Sequence, residues 1–298
     1  MNYTRREFLT LASLAPLALW PRRSTVFLPE GLQSLRGDVG FYTERGGTIG
    51  YYVTSDFLIV VDSQFPDTAE HFVQQIQSKN SRNIDILFNT HHHGDHTAGN
   101  FFLGPMSDEI VAHKDAVRLQ RKRYSTGENA DKQVYADTTF DEPFTVDTGS
   151  EQINARHFGP GHTGGDAIIH FEKANVVHLG DLVFNNVYPV IDVDTGEASI
   201  PGWITVLEKA VKTYPSDALF IFGHSVDDHD VTGSTAELLR MRDYLTALEE
   251  HVRKQKRAGK SVGEIVNAGF VPSFGHLKER WKGAFRHNIE ATFKSIDE

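Results

Sequence analysis

Residues 91–96 read His-His-His-Gly-Asp-His. Four imidazoles and a carboxylate in six residues cannot all enter an apolar core, because several polar groups would be buried without partners. They directly follow Ile84–Phe88, a short apolar run consistent with a buried strand. The chain must therefore fold so that ligating side chains gather at a strand end. Imidazole nitrogens and carboxylate oxygens are borderline-to-hard donors that suit Zn2+ and similar divalent ions. There is no cysteine, which excludes disulfide frameworks, thiolate metal sites, iron–sulfur clusters and a Cys nucleophile.

The surrounding pattern is layered. Strand-like runs occur at Val39–Arg45, Ile49–Thr54 and Phe57–Val61, and again at Gln152–His157, Ala167–Phe171, Val176–Leu179 and Ala218–Phe222. Helical spacing occurs at Thr68–Ser78, Lys114–Arg123 and Ile204–Thr213. Alternating strands and helices argue an α/β or α+β arrangement. From Thr235 the character changes: Leu238, Leu239, Met241, Tyr244, Leu245 and Leu248 form a helical stripe, and His276–Ile296 forms another. Residues 235–298 are read as a helical extension. Tyr124–Asp137 is polar and loop-like, a segment suited to lie over a site.

His91-x-His93-x-Asp95-His96 matches the H-x-H-x-D-H motif of the metallo-β-lactamase superfamily. Further elements follow that pattern: Asp62 after Leu58–Val61, His162 in Gly161-His162-Thr163, Asp181 in Leu179-Gly180-Asp181 and His224 in Gly223-His224-Ser225. The resemblance spans residues 38–232. It implies a four-layer αβ/βα sandwich, here with a C-terminal helical extension over 235–298. It also implies two divalent metal ions, zinc first, with iron or manganese suited to the same donors. His91, His93 and His162 would bind one ion, Asp95, His96 and His224 the other, and Asp181 would bridge them. Asp62 would orient the loop without being a ligand. His92 and the other histidines (His113, His157, His170, His178, His229, His251, His276 and His287) are read as supporting, surface or core residues.

Superfamily members with this ligand set are hydrolases. A metal-bridged hydroxide, oriented by Asp95, would attack the carbonyl of an amide, ester, lactone or thioester. Asp181 stands where metallo-β-lactamases proper place Cys or Ser, which shifts the resemblance toward lactonase- and thioesterase-like members. Two alternatives stand beside a dinuclear hydrolase. One is a mononuclear iron oxidoreductase of the same fold, similar to persulfide dioxygenases. The other is a non-catalytic periplasmic metal-binding protein. For a small-molecule substrate the candidate wall residues are Phe184, Asn185, Asn186, Tyr188, Tyr124 and Tyr135. Trp203 is read as the anchor of a helix start, and Arg118–Arg123 as a solvated helix face.

Thr4-Arg5-Arg6-Glu7-Phe8-Leu9, followed by an apolar run to Trp20, resembles the bacterial twin-arginine export signal. Residues 1–25 are read as that segment. The twin-arginine machinery is then a partner and the periplasm the destination, with an uncleaved N-terminal anchor as the variant of that reading. Removing residues 1–23 takes away four Arg and one Glu and moves the formal charge from −10 to −13. So acidic a chain is a poor partner for nucleic acid.

Overall fold

The computed structural model describes residues 31–226 and 231–296. The expected export segment and His229 lie outside them.

The first sheet is built from β1 (Gly31–Arg36), β2 (Val39–Thr43), β3 (Ile49–Val53), β4 (Leu58–Val61), β5 (Ile86–Asn89), β6 (Ile110–His113) and β7 (Thr138–Phe140), hydrogen-bonded in sequence order. Antiparallel pairing holds as far as β4; from β4 to β7 the pairs are parallel. The crossovers of the parallel half carry α1 (Pro66–Ile76), the short α2 (Gly94–Thr97) and α3 (Asn100–Leu103), and α4 (Lys114–Tyr124). β4 is apolar at every position because both of its faces are covered. Val60 packs toward α1, against Phe72 and Ile76, while Ile59 and Val61 face the second sheet.

That second sheet contains β8 (Phe144–Asp147), β9 (Gln152–Arg156), β10 (Ile168–Phe171), β11 (Val176–His178), β13 (Leu219–Ile221) and β15 (Thr232–Gly233). Its period-two alternation divides the core. Ile169, Val176 and Ile221 pack between the sheets, whereas Ile168, Val177 and Phe220 face the outer helices. Those helices are α5 (Ile200–Thr213), α6 (Thr235–Arg257), α7 (Val262–Asn267) and α8 (Ala284–Ser295). The order helix, sheet, sheet, helix is a mixed α/β sandwich, with helices at the C-terminal end. A parallel pair outside both sheets, β12 (Phe184–Asn185) and β14 (His224–Ser225), sets Phe184 opposite His224.

Local chemistry explains where elements start. α5 begins at Ile200, ahead of the expected Ile204, because the Ser199 hydroxyl accepts the Gly202 N–H and Pro201 sits in the first turn. Trp203 lies in that first turn, fully buried, and its indole N–H donates to Leu182 O at 2.9 Å. α6 opens with a capping box in which Ser234 and Glu237 satisfy each other's backbone N–H groups. Its apolar stripe packs into the same core as α5 and α8. Tyr244 on α6 donates to Asn288 Oδ1 at 2.6 Å, and Asn288 Nδ2 donates to Pro189 O at 2.7 Å. The C-terminal helices thus hold the segment after β12, which borders the His/Asp cluster.

Candidate metal centre

Asp62 sits at the end of β4 in a left-handed backbone conformation (φ 64°). Its N–H donates to Phe88 O at 2.7 Å, which sets the ends of β4 and β5 side by side. The buried carboxylate accepts three hydrogen bonds, each 2.7 Å long, from Thr90 N–H, the Thr90 hydroxyl and His96 Nδ1–H. The last of these fixes the orientation of the His96 ring and leaves Nε2 turned inward.

His91, His93 and His162 converge in the same way. His91 Nε2 lies 3.2 Å from His93 Nδ1, and His162 Nε2 lies 3.0 Å from it. The outer ring nitrogens have other partners. His91 Nδ1 meets Thr90 Oγ1 at 3.0 Å, His162 Nδ1 meets Val190 O at 3.0 Å, and His93 Nε2 lies 3.4 Å from Asp192 Oδ2. Three inner nitrogens therefore share one small space, with no proton needed on any of them.

A second group adjoins it. Asp95 Oδ2 is 3.1 Å from His224 Nε2 and 3.9 Å from His96 Nε2. Asp181 stands between the groups. Its Oδ1 is 3.0 Å from His96 Nε2, and its Oδ2 is 3.3 Å from His224 Nε2, 3.6 Å from His162 Nε2 and 3.9 Å from His91 Nε2. His96 Nε2 and Asp181 Oδ1 are both buried, and their approach does not form a hydrogen bond. Buried polar atoms left in this way cost free energy unless something polar completes them. A divalent cation among these nitrogens and oxygens would do so, and the donor set fits one. Gly223 makes room: a Cβ there would overlap Asp181 Oδ1, and one at Gly47 would overlap the His96 ring.

The electrostatics agree with ligation. Burial holds His91 well below the usual histidine range and His162 down to about 3, so both rings are neutral. Burial opposes a proton on His96 and His224, yet Asp181 and the other carboxylates beside them raise both. Burial would raise Asp181 too, but His224 and His96 bring it well below the carboxylate range. In the protein alone, protons on these two rings balance Asp95 and Asp181, the balance that cations would otherwise provide. His92 is fully buried, and neither ring nitrogen has a hydrogen-bond partner. Burial takes its pKa down to about 2. It packs against the His93 ring, with centroids 4.5 Å apart, and so is no solvent-facing residue.

An open cavity of about 360 Å3 reaches His93 and Asp95, with Arg123, Tyr124, Asp192 and His287 among its walls. Of the wall residues expected from sequence, Tyr124 is there. Phe184 instead stacks on the His224 ring, with centroids 5.3 Å apart, and with Asn185 and Asn186 it lines a smaller pocket beside α6. Tyr188 is buried in the core, and Tyr135 lies beneath the Arg121 guanidinium. Arg123 leaves the solvated face assigned to it and pairs with Asp192 at 2.5 Å. Sequence reasoning missed Asp192, Thr195 and His287. No spacing links Asp192 to the His motif, and His287 lay within a stripe read as tail packing.

The profile of the Metallo-beta-lactamase superfamily matches residues 42–248. The chain is 22% identical over 215 residues to the metallo-beta-lactamase type 2 of Elizabethkingia meningoseptica, covering 72% of this chain and 80% of that protein. It is 27% identical over 130 residues to the 2,4-dinitroanisole O-demethylase subunit alpha of Nocardioides sp. (strain JS1661), covering 43% of this chain and 38% of that one. Among solved structures, the DIM-1 metallo-beta-lactamase superposes with a TM-score of 0.58 at 21% identity, over 73% of this chain and 98% of that one. A double mutant of the sec-alkyl sulfatase PisA1 gives a TM-score of 0.67 at 12% identity, over 89% of this chain and 50% of that one.

Proposed function

The chain belongs to the metallo-beta-lactamase superfamily, and from that membership and the ligand geometry we propose a dinuclear metal-dependent hydrolase of amides, esters, lactones or thioesters. One observation carries the reading. Two ligand groups, His91/His93/His162 and Asp95/His96/His224, adjoin each other with Asp181 reaching both. The chemistry of the named relatives differs, so the fold alone does not choose a reaction.

His91, His93 and His162 would hold one ion, Asp95, His96 and His224 the second, and Asp181 would serve both. Zinc is the first choice for this donor set. When bound, such a pair of ions activates water and polarises a carbonyl oxygen. The protein's own share is orientation. Asp62, Val190 O and Asp192 engage the outer ring nitrogens of His96, His162 and His93, so their ligating nitrogens face inward before any ion arrives. The Asp95 side chain is 32% exposed at the cavity floor. Its carboxylate accepts a hydrogen bond from the attacking water and sets its approach to the carbonyl carbon. The same reading has the chain exported by the twin-arginine route to the periplasm, supported by Arg5-Arg6 and the apolar run behind them.

The test is elemental analysis of protein purified without added metal, with a panel of nitrocefin, a lactone, a glutathione thioester and an aryl ester. Two zinc equivalents with turnover of any panel member are expected. One iron with an inert panel would favour the mononuclear oxidoreductase. Bound metal with no turnover of any kind would favour the non-catalytic reading.

A further inference from the structure

Resting on the two-metal part of the reading above, we infer that Phe184 is a positioning residue for the second ligand group. Its ring holds His224 by face contact, where hydrogen bonds hold the other four ligating histidines.

Each of those four has a partner on its outer ring nitrogen. Thr90 Oγ1 meets His91, Asp192 meets His93, Asp62 meets His96 and Val190 O meets His162. His224 differs. Its Nε2 faces Asp95 and Asp181, at 3.1 and 3.3 Å. Its Nδ1 is buried and has no hydrogen-bond partner among the described residues. An imidazole without an outer hydrogen bond has nothing polar to fix its plane, so packing must do it.

Phe184 supplies that packing. The parallel pairing of β12 with β14 sets Phe184 opposite His224, and the two rings lie 5.3 Å apart with planes 27° from parallel. Phe184 is itself buried and backed by Trp203, whose ring is 6.4 Å away and whose indole N–H is tied to Leu182 O. The same ring meets His162 at 5.5 Å and 58°. Phe184 therefore touches one histidine of each ligand group, and only His162 has a hydrogen bond to keep it in place without the ring. Toward α6, Phe184 borders a pocket with Met241 and Tyr244, so a non-aromatic side chain at 184 has room to draw away from His224.

Zinc titration of the metal-free full chain against a chromogenic chelator would test the inference by resolving two stepwise affinities. The step that His224→Ala abolishes is the one that belongs to His224. Phe184→Leu keeps an apolar side chain and removes the flat ring. An aromatic contact of this kind is worth about 2- to 10-fold in an equilibrium constant, so the His224 step should weaken by about 5- to 10-fold. The other step should stay within about 2-fold. Phe184→Tyr restores the ring and should leave both steps within about 2-fold. Cobalt(II) titrations give a second readout, because the visible bands of the His224 ion should change in Phe184→Leu and not in Phe184→Tyr. If near-ultraviolet circular dichroism shows that Phe184→Leu does not fold, Phe184→Met is read in its place. Equal weakening of both steps would mean general loss of packing and would overturn the inference. So would two unchanged steps, or a Phe184→Tyr protein as weak as Phe184→Leu. A single ion in the unaltered protein would sink the dinuclear reading and this inference with it. Two ions, selective weakening and an inert substrate panel would sink hydrolysis alone.

Discussion

His93 and Asp192 are 99 residues apart in sequence, yet His93 Nε2 lies 3.4 Å from Asp192 Oδ2. The contact leaves Nδ1 as the nitrogen that faces His91 and His162. Asp192 is itself held by Arg123 and Thr195, and its hydrogen bonds with His93 and Thr195 keep its carboxylate ionised although burial opposes it. Asp192→Ala frees the His93 ring to take the other tautomer and to rotate. Metal affinity should fall by about 10- to 100-fold, as it does when a partner of a ligating histidine is lost. Competition with a chromogenic chelator measures this. An affinity within about 2-fold of the unaltered protein would remove Asp192 from the site's support.

Asp95 separates ligation from chemistry. Asp95→Asn keeps an oxygen for the ion but weakens the acceptor that orients water. The expected loss in kcat is about 100- to 10,000-fold on whichever panel substrate is turned over. His91→Ala should lower kcat comparably by removing a ligand, and the metal content should fall with it. Near-normal turnover by Asp95→Asn with both ions bound would contradict the role given to it.

The ligand cluster was legible because its residues sit at strand ends. The apolar runs Leu58–Val61, Ile84–Phe88 and Leu219–Phe222 announce strands, and Asp62, the His motif and His224 follow them. The sandwich order came from the resemblance, because periodicity gives elements and not their stacking. β7, β12, β14 and β15 have only two or three residues each, too few for an alternation to register. The cavity walls were the least legible part. Tyr124 is read from sequence as a wall residue and is one, but Asp192 opens a turn far from any motif, and His287 is one intermediate residue on a mostly apolar helix face. Their shared location depends on how α8 packs, through Asn288, onto Pro189.

Gly223 is a position where one methyl group should matter. A Cβ there would overlap Asp181 Oδ1, and the backbone has little freedom to yield. Gly223 N–H donates to Gly180 O at 2.8 Å, and Gly223 O accepts the Thr48 N–H at 3.1 Å. Gly223→Ala must therefore displace the Asp181 carboxylate, at a stability cost of about 1–3 kcal/mol. Asp181 reaches both ligand groups, so zinc stoichiometry should fall and turnover with it, while far-ultraviolet circular dichroism stays the same. A Gly223→Ala protein that binds two zinc ions at normal affinity would show that Asp181 is not held where this geometry puts it.

His113 gives the fold a pH dependence of its own, away from the ligand cluster. Its ring stacks on His157, with centroids 4.0 Å apart and planes 17° from parallel. Its Nδ1 accepts the Asp115 N–H at the start of α4. Burial, and then the neighbouring His157, lower its pKa from the usual 6.5 to about 4. A depressed pKa in the folded state means that the unfolded chain takes up the proton first as acid is added. The stability this represents is complete above pH 6.5 and is lost progressively as pH falls to about 4. It amounts to on the order of 2 kcal/mol, allowing for partial solvation of the ring. His113→Asn keeps an acceptor for the helix start and removes the titration. Urea unfolding at fixed zinc, compared at pH 7 and pH 4.5, should show the variant losing less stability than the unaltered protein. Acid release of metal affects both proteins alike and cancels in the comparison. Equal losses would mean that His113 takes up its proton in the fold as readily as in the unfolded chain, its ring being open to solvent.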